Sequence, residues 1–292
     1  MKHIVDAIRG FCMALADSVP GVSGGTIAFI LGFYDKFINS IDALISGNKE
    51  ERIDALKFLG KLAIGWAIGM VTAVLFLASI FESQIYAVSS VFLGFIVFAI
   101  PVIIKEEKEN MKGKYINLIF TLIGIAIVTA ITFFNPISGN GANVEVTNLN
   151  FGLGIYIFVS AMVLPGISGS TLLLIFGLYI PIINAIKEFL HFNFNYLPVL
   201  FIFGFGVIAG ALLVIKLIKM ALKKFRPQTI YLIIGLMIGS LYAIVMGPTT
   251  LEVPRDPMSI STFSIIWFAV GGAIIFGLQK AKAWLEKNEE KK

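Results

Sequence analysis

The chain predicts an all-α polytopic membrane protein, an inverted repeat in which each half is a re-entrant helical hairpin plus three transmembrane helices. Three observations carry that expectation. The 292 residues are 58% hydrophobic and 14% charged, whereas soluble domains carry about 25% charged residues. The segment Pro20-Gly21-Val22-Ser23-Gly24-Gly25-Thr26 recurs 145 residues later as Pro165-Gly166-Ile167-Ser168-Gly169-Ser170-Thr171. The basic residues, finally, sort almost completely onto one side of the spans that the apolar runs define.

Apolar runs near the length of roughly 20 residues needed to cross a bilayer place helices at 58–80, 84–104, 115–134, 197–217, 228–246 and 263–284. Hairpins are expected at 4–33 and 151–180. Their arms are too short to span, so each hairpin returns to the side it entered. Three spanning helices then carry the chain across, and the second half starts on the opposite face. The repeats are therefore 1–140 and 141–292. With both termini in the cytoplasm, only Lys187 and Arg255 of the 23 Lys and Arg residues fall outside, as the positive-inside rule requires. The repeat extends beyond its central motif: 12 of 26 positions are identical between Ala16–Ile41 and Ala161–Ile186, including Gly32/Gly177, Tyr34/Tyr179 and Asn39/Asn184. Gly65-xxx-Gly69 matches Gly206-xxx-Gly210 at an offset of 141, and Gly94 matches Gly235 at the same offset. These small residues fit close helix contacts in lipid.

The hairpin motifs carry the chemistry. Pro20-Gly21 and Pro165-Gly166 break a helix, because proline lacks the amide donor and glycine permits the reversal. Helix restarting near Ser23–Gly24 and Ser168–Gly169 leaves its first amides without partners in the chain. Such amides carry partial positive charge and favour an anion, with phosphate a natural occupant. Ser23, Gly24, Gly25, Thr26, Ser168, Gly169, Ser170 and Thr171 thus form the expected phosphate-headgroup site. The plainer alternative is that the hydroxyls only cap a kinked helix. Neither copy is a nucleotide P-loop, since the lysine of GxxxxGK[ST] is absent.

Ionisable residues near membrane depth are functional suspects. Arg9 either contacts the phosphate or snorkels to the interface. Asp17 either carries a proton or fixes Arg9, the plainer alternative being a helix-side cap or a satisfied polar contact. Met162 stands at the position aligned with Asp17, so the halves differ chemically. Among Lys216, Lys219, Lys223, Lys224 and Arg226, Arg226 leads as a headgroup contact because Pro227 stiffens it. The alternative for this cluster is a topology signal or contact with anionic lipid. No metal or cofactor is expected: Cys12 is the one cysteine, and His3 and His191 are the only histidines. Nucleic acid is no expected partner, because the net charge of +5 reflects sorting by membrane side. Oligomeric state stays open.

The run from Arg9 through Asp17 to Thr26, together with Leu164–Thr171, resembles the bacterial polyprenyl-phosphate transporter (PopT) family, long catalogued as a domain of unknown function. The similarity covers almost the whole chain. It implies a flippase rather than an enzyme. Its substrate would be undecaprenyl phosphate, returned from the outer to the inner leaflet of the bacterial cytoplasmic membrane for cell-envelope synthesis. It also carries over Arg9, Asp17 and the two turns as the site, with Ser170 departing from Gly25. Inward movement of an anion opposes the membrane potential by about 2.3 kcal/mol per charge per 100 mV, which makes Asp17 the candidate for proton coupling. The first rival reading is a transporter of a small soluble anion. An intramembrane lipid phosphatase is weaker, because His3 and His191 fall on opposite sides. A structural membrane partner without transport leaves the doubled breaks unexplained.

Overall fold

The computed structural model describes residues 2–17, 23–72, 84–133, 185, 189, 192–250 and 254–289. Their principal elements are α1 (Lys2–Asp17), α2 (Gly24–Ile30), α3 (Tyr34–Ser46), α4 (Lys49–Thr72), α5 (Ile85–Glu106), α6 (Leu118–Phe133), α7 (Leu197–Lys224), α8 (Arg226–Met246) and α9 (Ile265–Glu289). Four described stretches are long and apolar enough to cross a bilayer: Lys49–Thr72, Ile85–Glu106, Tyr115–Phe133 and Arg226–Thr249. The span expected at 197–217 falls within α7, and that expected at 263–284 falls in α9 except for its first two residues, with a shorter apolar stretch over Ile265–Lys280. The hairpin at 151–180, the repeat boundary near 140, and Pro20 and Gly21 lie outside the described residues.

Two elements depart from the sequence reading. The helix expected to begin at 58 begins at Lys49. Its start is a reciprocal capping box: the Asn48 amide donates to Glu51 Oε2 at 2.8 Å, and the Glu51 amide donates to Asn48 Oδ1 at 2.9 Å. Two otherwise orphaned donors are thereby satisfied. The predicted continuation past 72 lies outside the described residues. The second departure is α3, which occupies what reads as a cytoplasmic connection. It is amphipathic, burying Tyr34, Ile38 and Asp42 on one face at helical spacing.

The core gathers around α2, in which every residue from Gly24 to Ile30 is buried. Helices α1, α3 and α5 pack against it. Of the four spanning stretches, α5 and α8 are the most buried. By contrast, α4 exposes Leu56, Ile64, Ile68 and Val71, and α6 exposes Leu118, Ile119, Leu122 and Ile123. These outward apolar faces suit hydrocarbon rather than water.

Glycines set how closely the helices approach. On α1 and α4, a Cβ at Gly10 would strike the Leu62 carbonyl and one at Gly65 the Ala7 carbonyl. At Gly69 it would meet the Phe11 carbonyl at 2.7 Å. The spacing Gly65-xxx-Gly69 thus does what small residues do in lipid. The surroundings of Gly206 and Gly210 lie outside the described residues.

Two further helix pairs, α5 with α9 and α8 with α6, are built alike. Gly94 of α5 abuts the Phe268 carbonyl of α9, and Gly235 of α8 abuts the Thr121 carbonyl of α6. Reciprocally, Gly271 of α9 meets the Val91 carbonyl and the Phe95 amide, while Gly124 of α6 meets the Leu232 carbonyl and the Leu236 amide. An offset of 141 takes Val91, Gly94 and Phe95 onto Leu232, Gly235 and Leu236, and an offset of 147 takes Thr121 and Gly124 onto Phe268 and Gly271. One turn further, bulk is exchanged. Gly272 accommodates the Phe98 ring in the first pair, whereas in the second Gly239 faces Ile125 and Val128.

Backbone-to-backbone contacts of this kind cannot admit a methyl group without helix displacement, at a cost typically of about 1–3 kcal/mol. Gly235→Ala and Gly271→Ala are each expected to lower the midpoint of thermal unfolding in detergent. Gly60→Ala, at a position with nothing within 4 Å of the added atom, should leave it unchanged. Equal midpoints for all three variants would contradict the packing described.

Candidate functional site

Helix α1 is described as far as Asp17 and α2 begins at Gly24, where the sequence reading has helix restart; the Pro20-Gly21 break itself lies outside the described residues. Ser23 is the N-cap of α2, in extended conformation at φ −126° and ψ 150°. Its carbonyl accepts from the Thr26 amide at 2.9 Å, and its Oγ accepts a longer bond from the same amide at 3.4 Å. The Ser23 and Thr26 hydroxyls lie 3.3 Å apart. Both side chains are buried, which sets polar atoms inside an apolar core.

Asp17 closes the break. Its Oδ1 accepts from the Gly24 amide at 2.6 Å, and its Oδ2 accepts from Trp66 Nε1 of α4 at 3.0 Å. One carboxylate therefore joins the end of α1, the start of α2 and the neighbouring α4. Glycine is required at position 24, because a Cβ there would lie 2.8 Å from Asp17 Oδ2 and 3.1 Å from Met13 Cβ. The short charged bond to an N-terminal amide is favourable both as a charge-assisted hydrogen bond and through the partial positive charge of the helix start. Of the readings of Asp17, satisfaction of a helix start is thus present in the structure. The same geometry places its carboxylate where an incoming anion would seek the Gly24 amide.

At its other end α2 stops in a Schellman turn. The Phe33 amide donates to the Ala28 carbonyl and the Gly32 amide to the Phe29 carbonyl, each at 3.0 Å, with Gly32 at φ 70°. This left-handed position accounts for glycine there. It also sets the angle at which α3 leaves.

Arg9 stands near that second end. Its Nη1 donates to Asp6 Oδ1 at 3.0 Å, and its guanidinium lies 5.0 Å from the centre of the Phe33 ring, a cation–π contact. The structure therefore groups Asp17, Ser23, Gly24 and Thr26 at the start of α2, with Gly25 buried beside them, and sets Arg9 against its end. Arg226, at the start of α8, is held by two carboxylates. Glu107 accepts from Nε at 3.0 Å and from Nη2 at 2.6 Å. Asp35 of α3 accepts from Nη1 at 3.1 Å and Nη2 at 3.2 Å. A cavity of about 300 Å³ connects this cluster to the end of α2, with Phe29, Gly32, Asp35, Glu107 and Arg226 in its lining. Pro165, Gly166, Ser168, Gly169, Ser170 and Thr171 lie outside the described residues.

Sequence reasoning passed over Trp66, Asp35 and Glu107. Trp66 carried a signal: an indole N–H within the apolar stretch between Gly65 and Gly69 needs an acceptor. Asp35 and Glu107 carried none, because their partner is distant in sequence.

A multi-pass membrane protein, all-helical among the described residues and with a polar helix start buried in its core, is the class that this architecture defines. The chain belongs to the VCA0040-like family, described as undecaprenyl phosphate translocase-like, whose model matches residues 13–262. It is 37% identical over 256 residues to the polyprenyl-phosphate transporter of Staphylococcus aureus (strain NCTC 8325 / PS 47), covering 84% of this chain and 87% of that protein. It is 30% identical over 251 residues to the polyprenyl-phosphate transporter of Vibrio cholerae serotype O1, covering 82% and 77% respectively. No solved structure matches the chain.

Removing the Asp17 carboxylate leaves the Gly24 amide and the Trp66 indole without their acceptor. Unpaired buried donors cost about 1–3 kcal/mol each. Asp17→Ala is expected to be markedly less stable to heat in detergent than Trp66→Phe, which keeps the Gly24 bond and leaves only Asp17 Oδ2 without its donor. The reverse order would show that Asp17 does not join the three helices as described.

Proposed function

We propose that this protein translocates polyprenyl phosphate across the bacterial cytoplasmic membrane, returning the lipid carrier from the outer to the inner leaflet for cell-envelope synthesis. The observation that carries the reading is the interrupted helix: buried hydroxyls and helix-start amides at Ser23–Thr26, inside an apolar core, with an exchangeable carboxylate at the amide. The names of the two relatives support the substrate. A prenyl tail can remain in lipid while only the headgroup needs shelter, so a polar break between helices suffices.

The phosphate site comprises Ser23, Gly24, Gly25 and Thr26 together with Ser168, Gly169, Ser170 and Thr171, on the breaks at Pro20-Gly21 and Pro165-Gly166. The doubled α5–α9 and α8–α6 packing supports an inverted repeat of 1–140 and 141–292. Opposed hairpins in such a repeat open a central site to alternate faces. Both termini are cytoplasmic in this reading, on the strength of the basic residues. The chain acts as a transporter rather than a hydrolase.

Asp17 couples protons to the lipid. Phosphate and the Asp17 carboxylate compete for the Gly24 amide, and a protonated Asp17 gives up the charge that holds it there. A proton and a headgroup therefore load together. Each proton moved inward cancels one negative charge, removing the cost of about 2.3 kcal/mol per 100 mV. Arg9 steadies the end of α2 through Phe33, and Arg226 meets the headgroup only after parting from its carboxylates.

In vesicles carrying the purified protein, a fluorescent short-chain prenyl phosphate should move between leaflets, faster with an inward proton gradient. Asp17→Asn is expected to abolish that acceleration, and Gly24→Leu to block movement while the protein still inserts. Unchanged gradient dependence in Asp17→Asn would remove the proton role. Normal movement in Gly24→Leu would remove the site.

A further inference from the structure

Helix α3 is held by charge at several points, and of these contacts the proposed translocation uses only the release of Arg226. Asp42, buried on α3, pairs with Lys219 of α7. Asp35, one turn before Ile38, pairs with Arg226 of α8, which Glu107 also grips. Lys36 lies 4.0 Å from Asp6 of α1 and 3.9 Å from the centre of the Phe58 ring of α4. A cavity of about 370 Å³ lies under this crossing, lined by Asp35, Ile38 and Asn39 of α3 and by Lys219, Lys223 and Arg226 opposite. Three cations of α7 and α8 thus face one space that Asp35 also lines, while Asp42 meets Lys219 from a neighbouring cavity of about 570 Å³. The lever is short, because α3 follows α2 through the Schellman turn at Gly32. Movement of α3 is transmitted to the helix that bears Ser23 and Thr26.

We propose that Asp35 and Asp42 form a one-sided latch that holds α3 over this cavity, and that a phosphate monoester opens it by taking Arg226 and Lys219 from them. The exchange gives both cations a new partner, whereas unassisted opening would strip Lys219 and leave Arg226 with Glu107 alone. A phosphate matches the guanidinium fork at least as well as a carboxylate does. The latch has no counterpart in the repeat: 145 residues beyond Asp35 and Asp42 stand Ile180 and Lys187, and 141 residues before Lys219 and Arg226 stand Ala78 and Ile85. Internal symmetry of the chain therefore gives the opposite face no counterpart. The inference rests on the transport reading for its ligand, though not for the ion pairs.

Ile38 is 1% exposed and lies beneath the latch. In full-length protein in nanodiscs, with Cys12→Ala and Ile38→Cys, a water-soluble maleimide should label slowly. Farnesyl phosphate should accelerate labelling about tenfold, and farnesol should not. Acceleration by inorganic phosphate as well would mean that the headgroup alone opens the latch; acceleration by farnesyl phosphate alone would mean that the lipid is required. Asp35→Asn with Asp42→Asn should label fast without any ligand, and exchanging one pair, Asp42→Lys with Lys219→Asp, should restore slow labelling and exclude general unfolding. Slow labelling of the double Asn variant, or no response of the parent to either phosphate, would overturn the latch. If the labelling behaves as stated while wild-type vesicles move no prenyl phosphate, the transport reading falls and the latch stands.

Discussion

A helix that starts inside an apolar core must find partners for its first amides, and in this protein Asp17 supplies the one for Gly24. Its carboxylate binds the first amide of α2 and the Trp66 indole of α4. Without an acceptor those donors would be buried and unpaired, a cost that no lipid environment offsets. The position of α2 at the centre of the core depends on that bond at one end and on the Gly32 turn at the other. The hydroxyls of Ser23 and Thr26 are buried because α2 is.

Close glycine packing supplies the rigid frame around this polar helix start. Hydrophobic burial does little to drive one apolar helix against another in lipid, so close backbone approach and dispersion carry the association. Gly10, Gly65 and Gly69 bring α1 onto α4, and the reciprocal pairs of Gly94 with Gly271 and Gly124 with Gly235 join α5 to α9 and α6 to α8. Both of the latter interfaces link the early part of the chain to the late part. A change of tilt in one would therefore be felt across the molecule.

Charge is concentrated at the end of the bundle where α3, α7 and α8 meet. There Arg226 forms a fork with Glu107 and is bound also by Asp35. Glu107 and Asp42 are largely buried, so breaking these pairs without replacement leaves charge in a poorly solvated place. Replaceable partners make such a site responsive to anions in a way that glycine packing is not.

The amino-acid sequence by itself determined the membrane class, the helix start at Ser23–Gly24 and the close contacts at Gly65 and Gly69. All of these follow from local stereochemistry, hydropathy or spacing, which a linear chain displays directly. The start of α4 was equally legible in Asn48-Lys49-Glu50-Glu51, and α3 in the spacing of Tyr34, Ile38 and Asp42. Tertiary structure alone decided that Asp17 accepts from the Gly24 amide and the Trp66 indole, that Arg9 lies against Phe33 rather than beside Ser23, and that Arg226 is engaged by acids 191 and 119 residues away. The reason is physical: an ion pair or a buried hydrogen bond is a relation between groups that only folding brings within reach. The side chain alone states its need for a partner without stating which partner satisfies it.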